Sequence, residues 1–261
     1  MPSVRFVKAS ACGNDFLLVE GAAWQGDLVE ATRRMCDRHD GVGADGVEWL
    51  YPSSTADLEL RLINADGSPA EISGNGTRCV AAMVSADSGK DSITLQTGAG
   101  LKQCTLLSCH GEEYEFESAM GEAVVGPELK VRTGAGEVAG IPVSMGNPHF
   151  VWFVETFPQD WARKALEIQR NGYFKQGINI ELVNIENKHC ISVQFYERGA
   201  GETHSSGTGS CAAAVASIAV GQAESPVQVV APGGVQTVRM ENRDVFLRGP
   251  ARIVCRGDFY L

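Results

Sequence analysis

Two stretches of this sequence read alike: Ser73-Gly74-Asn75-Gly76 and Ser206-Gly207-Thr208-Gly209, each leading into an alanine-rich run, residues 79–84 and 211–220. Glycine lets the backbone approach a ligand closely. The first amides of a helix are unpaired and carry partial positive charge. Each stretch is therefore a candidate cradle for a carboxylate or phosphate. Serine is also a good N-cap, so each position has a purely structural reading as well. The two stretches lie 133 residues apart (206 minus 73), and Gly13-Asn14 recurs at the same offset as Gly146-Asn147. Two matches at one offset, close to half of 261 residues, indicate a duplicated unit.

Further polar residues cluster around these loops. Asn14, Asn64, Asn147 and Asn179 each border an apolar run, and Glu197-Arg198-Gly199-Ala200-Gly201-Glu202 directly precedes the second glycine loop. Arg198 suits a bidentate clamp on a second carboxylate, and Glu197 suits a base or a group that orients one. The ordinary alternative is a solvated turn, because charge and glycine are common together in loops. A duplicated site fits stereoinversion: a proton leaves one face of a carbon and returns to the other, while amide donors stabilise the anion formed between.

These residues must be held by short elements. Strand-like alternation covers residues 58–63, 92–95, 114–117, 149–155, 178–183, 190–196, 227–230 and 235–240, and the N-terminus reads directly into a strand. Helical patterns cover about 27–38, 76–86, 160–170 and 209–220. Many strands with few helices predict an α+β fold. The glycine- and glutamate-rich residues 118–126 read as the linker. The expected halves are 1–117, completed by the C-terminal strand 251–261, and 118–250.

Composition narrows the partners. A formal net charge of −10 argues against nucleic acid or an anionic membrane surface, both of which need a basic face. Eight cysteines include no CxxC pair, and a chain of this length needs no disulfide framework, so they read as reduced cytoplasmic thiols. Cys104, Cys109 and His110 lie close together but lack a second ligand pair, so no metal is expected. No signal peptide is visible, and the longest apolar run, 211–220, is too short to span a bilayer.

The motifs together resemble the diaminopimelate epimerase family. The matching residues are Cys12-Gly13-Asn14-Asp15-Phe16, Asp37-Arg38-His39 through Gly43-Ala44-Asp45, Asn64-Ala65-Asp66-Gly67-Ser68, Gly74-Asn75-Gly76-Thr77-Arg78-Cys79, Gly146-Asn147-Pro148-His149, and Glu197 to Thr203 with Gly207-Thr208-Gly209. They occur in family order and span nearly the whole chain. The resemblance implies an α+β fold of two similar pseudo-symmetric halves, each a mixed barrel-like sheet around a central helix, with one active site in the cleft between them. It implies a two-base amino-acid epimerase of lysine biosynthesis, interconverting LL- and meso-diaminopimelate without pyridoxal phosphate, metal or other cofactor. Its partner is a small-molecule substrate, with a homodimer left open. By position, Asn14, Asn64, Asn147, Asn179 and Arg198 bind substrate; Gly74, Asn75, Gly207 and Thr208 cradle the reacting carboxylate; His149 and Glu197 assist the bases. The family's two catalytic cysteines are here Ser73 and Ser206. A serine hydroxyl is a poor base unless a neighbour takes its proton. Cys79 and Cys211 fall inside the following helices, away from substrate. Gly46 stands where the family tends to have a polar side chain. Two other readings keep the same loops: an isomerase, dehydratase or racemase acting on another amino acid, and a binding variant, natural or engineered, that has lost both bases.

Overall fold

The structure, a computed structural model, describes residues 3–134 and 136–260. Met1, Pro2 and Leu261, included in the expected first half, lie outside the described residues. The chain forms two compact units: residues up to Ser118 with those from Gly249 onward, and Ala119–Arg248. In chain order the first elements are β1 (Ser3–Ala11), β2 (Asn14–Glu20), α1 (Leu28–Cys36), β3 (Gly46–Tyr51), β4 (Leu58–Asn64), β5 (Pro69–Ala70), α2 (Gly74–Ser88), β6 (Ser92–Thr97), β7 (Gly100–His110) and β8 (Glu113–Glu122). They are followed by β9 (Val124–Val125), β10 (Leu129–Thr133), β11 (Gly136–Ser144), β12 (Pro148–Phe153), α3 (Trp161–Gln169), β13 (Asn179–Asn187), β14 (Cys190–Glu197), β15 (Gly201–Thr203), α4 (Gly207–Ala219), β16 (Val227–Ala231), β17 (Gly234–Glu241) and β18 (Asp244–Tyr260).

Strand pairing explains where the helices lie. Parallel strands need a long crossover, whereas antiparallel neighbours are joined by turns. In the first unit β2 and β3 pair in parallel across α1, and β4 and β6 in parallel across α2. In the second, β12 and β13 pair in parallel across α3, and β14 and β16 across α4. The first unit closes as a ring of eight strands, β1-β2-β3-β4-β6-β7-β8-β18 and back to β1. The second unit runs β9-β11-β12-β13-β14-β16-β17-β18, with residues 244–248 of β18 paired to β17.

In each unit one side of the sheet wraps a small-residue helix and the other carries an amphipathic one. Cys79, Val80, Ala81 and Ala82 of α2 pack against Phe16, Leu18, Leu60, Ile93, Leu95 and Phe116, while α1 turns Ala31, Met35 and Cys36 onto Leu17, Val47 and Trp49. Likewise α4 sets Cys211 to Ala216 among Val183, Val193, Phe195, Val229 and Leu247, and α3 places Ala165 and Ile168 against Phe150, Ile180 and Leu182. A helix buried all round must carry small side chains if strands are to enclose it closely.

Helix boundaries follow their caps. Asp27 Oδ1 accepts from the amides of Val29 and Glu30 at 2.8 and 3.2 Å and starts α1. Ser73 and Ser206 cap α2 and α4, so both helices begin two residues earlier than the alanine pattern predicts. Gly89, at φ 74°, ends α2 in a left-handed turn. Residues 118–126 differ from the expected linker. They are largely strand, because Val124 and Val125 pair with Ser144 and Val143, and the Gly126 amide donates to Pro142 O at 2.8 Å. Pairing supplies the backbone with partners that composition does not reveal.

Because Ala213 is fully buried on α4, Ala213→Leu is expected to lower stability by about 1–3 kcal/mol through overpacking. A reduced urea midpoint with unchanged far-UV circular dichroism checks this.

Candidate active site

In the first unit the site residues hang on one polar network. Ser73 Oγ accepts from the Gly76 amide at 3.0 Å. Asn75, one residue into α2, donates from Nδ2 to Asn14 Oδ1 at 2.7 Å, and Asn14 Nδ2 donates to Asp45 Oδ2 at 3.1 Å. The fully buried Arg78 guanidinium donates to Asn75 Oδ1, and at 3.2 Å to both Gly74 O and Pro250 O. Arg78 thus fixes the first turn of α2 to the start of β2. Behind it, Arg38 bridges Asp15 and Asp45, with its Nη2 2.8 Å from an oxygen of each, and Lys8 Nζ lies 3.0 Å from Asp15. Burial works against the Asp15 carboxylate, but hydrogen bonds from Arg38 and Lys8 outweigh it and hold its pKa below the ordinary value. Asn64 stands apart from this network. It ends β4 opposite Gly46, and its Nδ2 donates to Ser68 Oγ at 3.0 Å. No side chain fits at Gly46: a Cβ there meets Ile63 O at 2.9 Å.

In the second unit, Ser206 Oγ accepts from the Gly209 amide at 3.2 Å and donates its own proton to Glu197 Oε2 at 2.9 Å. Thr203 Oγ1 donates to the other Glu197 oxygen at 2.7 Å. A hydroxyl has one proton and two acceptor positions, so capping the helix leaves its proton available. Glu197 is therefore fastened to Ser206 rather than lying in a solvated turn. Asn179 Oδ1 accepts from the Arg198 amide at 2.9 Å, and Arg198 Nη1 donates to Gln176 O at 3.0 Å. Asn147 Nδ2 donates to Thr208 Oγ1 at 3.3 Å, and Asn147 Oδ1 lies 2.9 Å from His149 Nε2.

His149 follows Asn147 at the start of β12. It is wholly buried, and its other ring nitrogen lies 2.7 Å from Glu181 Oε1. It orients Asn147, which in turn touches Thr208 in the first turn of α4. Burial raises the Glu181 pKa; the neighbouring His149 works the other way without overcoming it.

Sequence reading missed Glu48 and Glu181. Each is the one charged residue in an apolar strand segment, Val47-Glu48-Trp49-Leu50 and Ile180-Glu181-Leu182-Val183, and they are again 133 residues apart. That offset was the available signal. Both lie against the first turn of the central helix: a Cβ on Gly76 would sit 2.1 Å from Glu48 Oε1, and one on Gly209 would sit 2.8 Å from Glu181 Oε1. Burial pushes the Glu48 pKa up to about 8.

Of the thiols, Cys12 Sγ accepts from Arg78 Nη2 at 3.7 Å. Cys79 and Cys211 are fully buried within α2 and α4, and burial raises the Cys79 pKa further. Cys104 Sγ lies 3.2 Å from Ser118 Oγ in the core, and Cys109 Sγ donates to Gly111 O at 3.5 Å. Among the described residues no three His, Cys, Asp or Glu side chains converge as metal ligands, and no helix is long and apolar enough to cross a membrane.

Two units of one plan, each a mixed sheet around a serine-capped, glycine-opened helix, define a duplicated α+β protein. The diaminopimelate epimerase family model matches residues 6–126 and 141–254. The diaminopimelate epimerase of Elusimicrobium minutum is 34% identical over 98% of this chain and 99% of its own. That of Corynebacterium aurimucosum is 38% identical over 98% and 99%. The crystal structure of a phenazine biosynthesis protein of the PhzF family from Bacillus anthracis shares the fold, with a TM-score of 0.77 at 15% identity over 100% of both chains. The chain belongs to the diaminopimelate epimerase family.

Asp15, with its lowered pKa, contributes stability above its ordinary pKa of 3.8, and that contribution is lost as pH falls through its folded value. Arg38→Met is therefore expected to be less stable than the parent at pH 7, with the difference narrowing toward pH 3. Urea unfolding at the two pH values measures it.

Proposed function

We propose that the protein inverts the α-carbon of an amino acid by proton transfer without a cofactor, and that its substrate is diaminopimelate, interconverted between the LL and meso forms. The observation that carries this reading is the 2.9 Å hydrogen bond from Ser206 Oγ to Glu197, in a chain of the diaminopimelate epimerase family. A hydroxyl alone is too weak a base to take a proton from carbon near neutral pH, but a carboxylate that receives the hydroxyl's proton makes the transfer feasible. The cradle residues Gly74, Asn75, Gly207 and Thr208 present first-turn amides to the substrate α-carboxylate, where charge develops as the proton leaves. Asn14, Asn64, Asn147, Asn179 and Arg198 bind the rest of the substrate, with Arg198 suited to a distal carboxylate. Ser73 and Ser206 exchange the protons. Eight free thiols support a cytoplasmic setting. A homodimer belongs to the same reading, and light scattering tests it.

Incubation with LL-diaminopimelate in heavy water is expected to place deuterium at Cα and to yield the meso form by chiral analysis. Ser206→Ala and Glu197→Gln should each slow exchange by about 100-fold or more. Absence of exchange both in the parent and in a Ser73→Cys, Ser206→Cys double variant overturns the reading.

A further inference from the structure

The Glu197 carboxylate is held at both oxygens. Ser206 Oγ donates to Oε2 at 2.9 Å, and Thr203 Oγ1 donates to Oε1 at 2.7 Å. The first bond carries the chemistry proposed above; the second has no part in it, and its position calls for a use.

Strand register puts the threonine there. β14 and β15 form a tight antiparallel hairpin in which Phe195 faces Thr203, Tyr196 faces Glu202 and Glu197 faces Gly201. Alternate residues of a strand share a face, so Phe195, Glu197 and Thr203 project to the same side. That side looks onto the first turn of α4, because a Cβ on Gly209 would lie 2.9 Å from Phe195 Cδ1. Directly opposite Glu197 stands Gly201, whose φ of 78° suits glycine and which offers no side chain. The diagonal neighbour, Thr203, is therefore the one that reaches the acid. A β-branched side chain has few χ1 choices, so its hydroxyl is well placed to hold a glutamate that would otherwise sample many rotamers.

The first unit repeats the hairpin without the pair. Leu62 faces Ala70 across β4 and β5, which is the register of Phe195 and Thr203 shifted by 133 residues. Ala70 stands where the second unit has Thr203, and Asn64 where it has Glu197, so the acid and its hydroxyl are present together or absent together. Asn64 turns to Ser68 Oγ instead. A hairpin that forms with alanine at this position does not need the threonine for its shape, which leaves the carboxylate as the hydroxyl's purpose.

Resting on the epimerase reading above, we propose that Thr203 is a positioning residue for that reaction: by holding Glu197 Oε1 it turns Oε2 onto Ser206, so the proton acceptor is in place before substrate arrives. When Ser206 acts as base, the Cα–H electron pair stays on carbon, the proton moves to Ser206 Oγ, and the hydroxyl proton of Ser206 moves to Glu197 Oε2. Thr203 keeps its own proton throughout, and in the reverse direction each transferred proton retraces its path. A misplacement of about 1 Å in such an arrangement can cost about 100-fold in rate.

Thr203→Val keeps the branched shape and removes the hydroxyl. In deuterium exchange at the substrate Cα, kcat should fall by about 10- to 100-fold with KM unchanged, and Thr203→Ser should restore it. In a Glu197→Gln background Thr203→Val should cause no further loss, because the group it positions is already gone. An unchanged kcat in Thr203→Val, failure of serine to rescue, or the same loss with and without Glu197 overturns the proposal. A crystal structure of Thr203→Val tests the link apart from turnover: Glu197 Oε2 should leave hydrogen-bond distance of Ser206 Oγ, and a retained contact refutes the proposal even if the parent shows no exchange. Absence of exchange in the parent bears on the epimerase reading alone.

Discussion

Glu48 and Glu181 each press a carboxyl oxygen against a helix turn that has no side chain above it, and the placement of the site residues follows from that fit. At Gly76 and Gly209 any Cβ would fall 2.1 or 2.8 Å from the acid. Glycine at these positions lets helix and strand close to a distance that an alanine would prevent. The same closeness brings Ser73 and Ser206 to the strand ends, where the asparagines and Glu197 stand. The acids themselves sit in opposing fields: burial penalises their charge, while the helix N-terminus favours it. The outcome is set by what else touches them. Glu181 has His149 at 2.7 Å, and Glu48 has apolar neighbours.

That contrast shows how a duplicated backbone has acquired unequal chemistry. The two units share element order, parallel crossovers and serine caps. They differ in the few side chains that hold protons. A reaction that takes a proton on one side and gives one on the other needs one group ionised and one protonated at the start. Acid and base assignments follow where two environments drive similar groups apart. The two units differ at such positions: Asn64 stands where the repeat has Glu197, and Phe16 where it has His149.

Much of this was written in local sequence. The serine caps, the strand alternation and the 133-residue repeat lie in residues close to one another along the chain, and local hydrogen bonding sets them. The Ser206–Glu197 bond was foreseeable, because Glu197 lies just before the second glycine loop, whereas the Asn14–Asn75 pair joins residues 61 positions apart. Other features depend on long-range pairing. Residues 118–126 look like a linker until β11 supplies partners for Val124 and Val125. His149 is tied to Glu181, 32 positions later, by a contact that only the folded strands reveal. Glu48 sits in the apolar segment 47–50, and only the packing of helices on both faces of β3 shows why it is buried.

Capping and proton transfer draw on different parts of the serine hydroxyl, and this reconciles its two readings. One lone pair takes the Gly76 or Gly209 amide, which fixes the oxygen relative to the helix. The hydroxyl proton points elsewhere, in Ser206 toward Glu197. A thiol titrates near pH 8.5, roughly, and can hold or release its own proton at working pH. A serine hydroxyl cannot, so with oxygen in place of sulfur the proton must be stored one atom further back. Cys79 and Cys211 do not fill that need: both are sealed inside their helices. In the proposed reaction Glu197, hydrogen-bonded to Ser206, takes that proton.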